Sequence, residues 1–189
     1  VVELYKEEFA PYYVQREVDR SVESYLSSHS LWVYGISGVG KSTAITHALL
    51  SMKKNILLVN MAGIRPNCEL EDIFVWIYNE ISNIVGESAV PSASYQLCIR
   101  QIISLLDNHF ADQQVSILVE EIPYTGEVFS SFVSSFSSLV VSDKLTGKSA
   151  DVDFVLSSIE NPLPHVPDYL QKIKSFIKFL EFNVWTDEE

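Results

Sequence analysis

Cysteine is scarce in this chain: Cys68 and Cys98 are the only two in 189 residues, with no CxxC spacing and no histidine clustered beside them. That excludes a disulfide scaffold and a structural zinc site, and it fits a reducing cytosol. Basic residues are also few, 13 Lys and Arg against 25 Asp and Glu, for a net charge of −12. So acidic a surface is a poor footprint for nucleic acid or anionic lipid. No apolar run approaches the ~20 residues that a membrane-spanning helix needs. No signal peptide opens the sequence. The expected location is therefore cytoplasmic, with neither membrane nor nucleic acid as partner. The first residue is Val1 and not methionine. We therefore expect a piece of a longer protein, with flanking domains on the parent chain. Glycine is sparse too, yet three of the seven, Gly35, Gly38 and Gly40, fall within six residues.

The composition is otherwise that of a folded domain, 47% hydrophobic and 20% charged. Five short apolar runs read as buried strands: residues 31–34, 55–60, 115–119, 152–156 and 176–182. Helical spacing marks residues 16–28, 41–53, 69–85, 93–109 and 129–140. Glu69, Glu71 and Asp72 suit the start of the third of these helices, and Gly86 suits its stop. Trp76 on that helix reads as core, and serine fills one face of residues 129–140. Apolar strands joined by segments long enough for helices imply crossovers and a parallel sheet covered on both faces. The fold class is a three-layer α/β/α sandwich. Residues 1–30 read as a helical lead-in and residues 31–189 as the core.

Residues 35–42 read GISGVGKS, a full match to GxxxxGK[ST]. The match follows a strand and opens a helix, as a phosphate-binding loop requires. Gly35, Ser37, Gly38, Val39 and Gly40 would turn backbone N–H groups onto a β-phosphate at the helix N-terminus. Lys41 would bridge the β- and γ-phosphates, Ser42 would offer its hydroxyl to Mg²⁺, and Thr43 could reach the α-phosphate. A second Gly-Lys-Ser, at residues 147–149, lacks both the earlier glycine and the preceding strand. It reads as polar linker. The third strand run ends in Glu120 and Glu121, placed to hold Mg²⁺ and to activate water respectively. The usual first acid is aspartate, so the longer arm of Glu120 is a departure. Ser157 and Ser158 close the fourth run, where a polar residue could sense the γ-phosphate. Tyr12, Tyr13 and Val14 either line a base or staple a helix, and Arg16 either faces nucleotide or pairs with a nearby acid.

On these residues the chain resembles the STAND class of AAA-like ATPases, which includes NACHT-type and bacterial antiviral defence sensors. Residues 12–17 (YYVQRE) look like its adenine-seating motif and residues 35–43 like its phosphate loop. Glu120-Glu121 stands at its acidic pair, and residues 156–158 at its fourth-strand sensor. The resemblance implies sheet order 5-1-4-3-2, ATP or ADP with Mg²⁺ as cofactors, and slow hydrolysis. It further implies a switch from a closed ADP state to a homo-oligomerising ATP state. Thr186 and Glu189 form a capping box, the expected start of a helical lid beyond this core. The alternatives are a nucleotide-holding scaffold without turnover, or a small-molecule P-loop kinase. Between residues 121 and 150 only Lys144 and Lys148 are basic, which is thin for a kinase lid. No [NT]KxD guanine signature occurs.

Overall fold

The computed structural model describes residues 6–65, 68–88, 91, 94–111, 113–146 and 151–184, with backbone alone for residues 7, 121 and 142–146. Five strands form one sheet: β1 (Ser30–Tyr34), β2 (Asn55–Asn60), β3 (Gln114–Ile122), β4 (Asp151–Ser158) and β5 (Ile177–Glu181). Every pairing is parallel, and the order is β2-β3-β4-β1-β5, the expected 5-1-4-3-2 read from the other edge. β1 is buried at every residue, and β4 at all but its first. Continuous apolar sequence in these strands is what a sheet covered on both faces demands.

The helices are α1 (Glu17–Leu26), α2 (Lys41–Ser51), α3 (Leu70–Val85), α4 (Tyr95–Phe110) and α5 (Gly126–Thr146). Strand alternation sorts the core into two. Leu31, Val33, Leu118 and Val155 pack with α1 and α2 on one face. Trp32, Val115, Ile117, Val119, Phe154 and Leu156 pack with α3, α4 and α5 on the other. Trp32 centres the larger core, edge-on to Phe129, Phe132 and Phe136 and stacked on Phe179. That contact explains the phenylalanine stripe of α5. α3 ends as its sequence predicts, on Gly86 at φ 77°.

Some expectations need correction. Trp76 packs against the larger core as expected but is only half-buried, with its indole N–H donating to the Asn60 carbonyl at 3.0 Å. The β4–β5 connection carries no α-helix. It folds as two 3-10 helices, Leu163–His165 and Asp168–Ser175. Pro162, Pro164 and Pro167 supply the reason, since each removes a backbone donor and obstructs the preceding helical turn. The serine face of α5 is not wholly solvated either, because Ser137 is fully buried. Thr186, Glu189 and the second Gly-Lys-Ser lie outside the described residues.

Beneath the smaller core, Lys54 Nζ donates to Asp153 Oδ2 at 2.8 Å and to the Leu26 carbonyl. This buried pair ties the end of α1 and the α2–β2 turn to β4. Among the described residues no helix is long and apolar enough to cross a membrane.

Candidate nucleotide site

β1 ends at Tyr34 and α2 begins at Lys41, so residues 35–40 bridge a buried strand and a helix N-terminus. The bridge is tight. Gly35 packs directly on the backbone of Phe182, where an added Cβ would collide with the Phe182 carbonyl. Gly40 sits at φ 87°, a left-handed conformation that residues with a side chain adopt at a cost. Val39 does not face the loop's concavity, because its side chain is buried in the smaller core and anchors the loop from below.

The loop opens onto a cavity of about 520 Å³. Ser37, Gly38, Gly40, Lys41, Ser42 and Thr43 line it from the loop side. Ile122 lines it from the end of β3, and Ala62, Pro123 and Ile159 line it from segments following β2, β3 and β4, beside Ser157 and Ser158. The motif could not name these last wall residues. Their signal was positional, because ligands of open parallel sheets sit beyond the carboxyl ends of the strands. Lys41 Nζ donates to the carbonyls of Gly35 and Ile36 at 2.7 and 2.8 Å. The ammonium is thus held across the mouth of the loop on the motif's own backbone.

Strand alternation separates the two serines. Ser157 follows Val155 by two residues, so it shares the α1/α2 face, buried on the cavity wall beside Val33 of β1. Ser158 faces the larger core, where its Oγ accepts from the Trp32 indole at 2.9 Å and donates to the Glu160 carbonyl at 2.8 Å. Glu120 follows Leu118 by two and likewise shares the α2 face, 2% exposed. It pairs with Asn60 in register. A register shift between Val119 and Ile122 follows, so Glu120 and Glu121 both lie within β3 and neither ends it. The side chain of Glu121 lies outside the described residues. Ser42 and Glu120 supply oxygen, the donor type that suits Mg²⁺. No group of three His, Cys, Asp or Glu among the described residues could hold a metal by itself.

Gly35, Val39 and Glu120 are not among the residues that line the cavity, and three further candidates, Tyr13, Val14 and Arg16, also lie off its wall. Val14 is exposed. Tyr13 stacks on His47, ring centroids 4.1 Å apart and planes 13° from parallel. Burial, followed by the neighbouring Asp19 carboxylate, pushes its hydroxyl well above the ordinary tyrosine range. Arg16 is buried beside Asp19, with Nη2 donating to Oδ1 at 3.2 Å. Of the two roles its sequence position allowed, the structure shows the pairing with a nearby acid.

No family model matches the sequence, and no curated protein does. Solved structures do. Cdc6p from Pyrobaculum aerophilum aligns over 98% of this chain at a TM-score of 0.64 and 14% identity. A STAND protein with a tetratricopeptide repeat sensor from Pyrococcus horikoshii aligns over 93% at 0.55 and 13% identity. A Walker-type ATPase of Pyrococcus abyssi aligns over 91% at 0.51 and 15% identity. The chain spans 51%, 24% and 55% of those proteins respectively. At such identities the likeness speaks for fold, and the fold is that of the P-loop ATPases.

Proposed function

We propose that this chain is the ATP-binding, slowly hydrolysing switch module of a larger STAND-type signalling or defence ATPase. The observation that carries the reading is the phosphate loop with Lys41 across its mouth, opening on a cavity whose far wall holds Ser157. A nucleoside diphosphate matches such a loop in charge. In this reading Lys41 and the backbone of residues 37–43 hold the phosphates. Ser42 and Glu120 would hold Mg²⁺, which would neutralise negative charge on the phosphates. Glu121 orients the attacking water, and Ser157 reads the γ-phosphate. Tyr13 and Val14 serve the base side of the site. The switch reading comes from the STAND resemblance of the motifs; a kinase or a turnover-free scaffold would use the same loop.

Calorimetry with ADP and a phosphate-release assay with ATP test the proposal together. Lys41→Ala should weaken ADP binding by about 1.5–3 kcal/mol, since it removes a charge-assisted contact. Glu121→Gln should keep ADP affinity and lose most phosphate release, because a base is removed and the loop is not. Unchanged ADP affinity in Lys41→Ala would sink the nucleotide assignment. Turnover lost in Glu120→Gln but kept in Glu121→Gln would exchange the two acidic roles.

A further inference from the structure

Arg16 is 5% exposed and runs beneath the phosphate loop, not into the cavity. Its Nη1 donates to the Val39 carbonyl at 2.9 Å, across 23 residues of sequence. Its Nη2 donates to Asp19 Oδ1, and its Cζ lies 5.0 Å from the centroid of the buried Phe182 ring. Asp19 is fixed in turn, since its Oδ2 accepts the Arg16 backbone N–H at 2.8 Å and caps α1. One planar cation thus joins α1, the end of β5 and the loop. A fork of donors with an aromatic-facing plane is a task for arginine, not lysine.

The contact falls on a particular peptide. In a trans peptide the C=O and the following N–H point to opposite sides. A Val39 carbonyl drawn down onto Arg16 therefore turns the Gly40 N–H the other way, towards the cavity that Gly40 lines. Gly40 holds a left-handed φ at that point, and an added Cβ would come within 3.4 Å of Arg16 Nη2. Loop and guanidinium are in close contact.

We propose that Arg16 is a positioning residue: it fixes the Val39–Gly40 peptide plane so that the Gly40 N–H meets the β-phosphate, and it touches no part of the nucleotide itself. This rests on the nucleotide reading above. It also assigns Arg16 a role different from the base- or phosphate-contacting one that its sequence motif suggested. A positioning role acts only on ligands that reach the loop. ADP reaches it with its β-phosphate, whereas AMP has none to place there.

The test is a pair of titrations, ADP and AMP, on the wild-type chain and on the double variant Arg16→Met/Asp19→Asn. The double variant leaves no buried carboxylate without its cation, and the asparagine keeps an acceptor for the α1 cap. Arg16→Lys, which retains the cation, makes the same comparison should the double variant fail to fold. ADP affinity should fall about tenfold, equivalent to ~1.4 kcal/mol, while AMP affinity stays at the wild-type value. Loss of general stability alone would leave the ADP-to-AMP ratio of the folded protein unchanged. Equal loss for both nucleotides would overturn the proposal, because Arg16 would then contact the nucleoside or α-phosphate. Unchanged affinities would overturn it as well. A wild-type chain that binds neither nucleotide would bring down the nucleotide reading itself, and this proposal with it.

Discussion

Ser157 and Ser158 are neighbours in sequence and opposites in role, because successive strand residues face opposite sides of the sheet. Both serines line the cavity, but the Ser158 hydroxyl is taken up by Trp32 and the Glu160 carbonyl. Ser157→Ala should lower ATP turnover by at least roughly tenfold, the scale of a lost donor to developing charge. Its melting temperature should stay near that of the wild type. Ser158→Ala should do the reverse. It leaves the Trp32 indole N–H buried without its acceptor, at a cost of about 1–3 kcal/mol. Denaturant unfolding and phosphate release, run on both variants, check the split. If Ser158→Ala loses turnover and keeps its stability, the face assignment is wrong. Gly35 makes a separate case at the same scale. A methyl group there meets the Phe182 carbonyl, so Gly35→Ala must open the junction between loop and β5. It should lower both stability and ADP affinity.

At the scale of elements, the Lys54–Asp153 pair shows how the smaller core is tied together. Both side chains are nearly sequestered, at 5% and 8% exposure, and they join α1, the α2–β2 turn and β4. Removing one partner strands the other charge, so Lys54→Met should cost about 3–5 kcal/mol in chemical denaturation. Lys54→Met/Asp153→Leu should recover much of that loss, because the desolvation penalty disappears with both charges. A double variant as unstable as the single one would refute that account. How much of this architecture was legible in sequence differs between elements. The strands were, because continuous apolar runs have few other uses in a chain of this composition. The glycine-rich turn between β1 and α2 was, because its glycine spacing is tied to backbone geometry that few sequences share. β3 was legible only to Val119. The pairing with β2 stays regular through Glu120, so its face follows from alternation, whereas the register shift against β4 between Val119 and Ile122 leaves no mark in the sequence. The 3-10 connection before β5 was announced by Pro162, Pro164 and Pro167, a signal that strand-to-strand spacing overrode. Arg16 was ambiguous for a different reason. Its partner is a backbone carbonyl brought near by folding, and carbonyls leave no mark in sequence.

Across the whole molecule, burial holds three ionisable groups protonated, two in the larger core and one over α2 on the opposite face of the sheet. Cys98 lies in the larger core, its thiol donating to the Phe74 carbonyl at 3.2 Å, and burial pushes its pKa up to about 11. Tyr124 lies in the same core, where burial, then the Cys68 thiol beside it, raises its hydroxyl well above the ordinary range. Tyr13 covers α2 on the other face and is raised by burial and by Asp19. All three shifts are upward, so all three have one sign in the linkage. Below the unfolded-state value of each group, native and unfolded chains hold the same protons, and the stabilising contribution is complete. Above it the unfolded chain releases protons that the native chain keeps, so stability falls as pH rises. For Cys98 the fall begins near the ordinary thiol value of 9.0 and runs through about 11. The tyrosines begin near 10.0 and extend the fall further. These groups should therefore leave stability level between pH 7 and 9 and erode it steadily above. Unfolding by denaturant at half-unit steps from pH 7 to 11 measures this. Cys98→Ala should flatten the curve between pH 9 and 10, make it shallower above, and leave the tyrosine-driven fall above pH 10 in place. A curve in which Cys98→Ala falls as steeply as the wild type from pH 9 would mean that the thiol is not held protonated by the larger core.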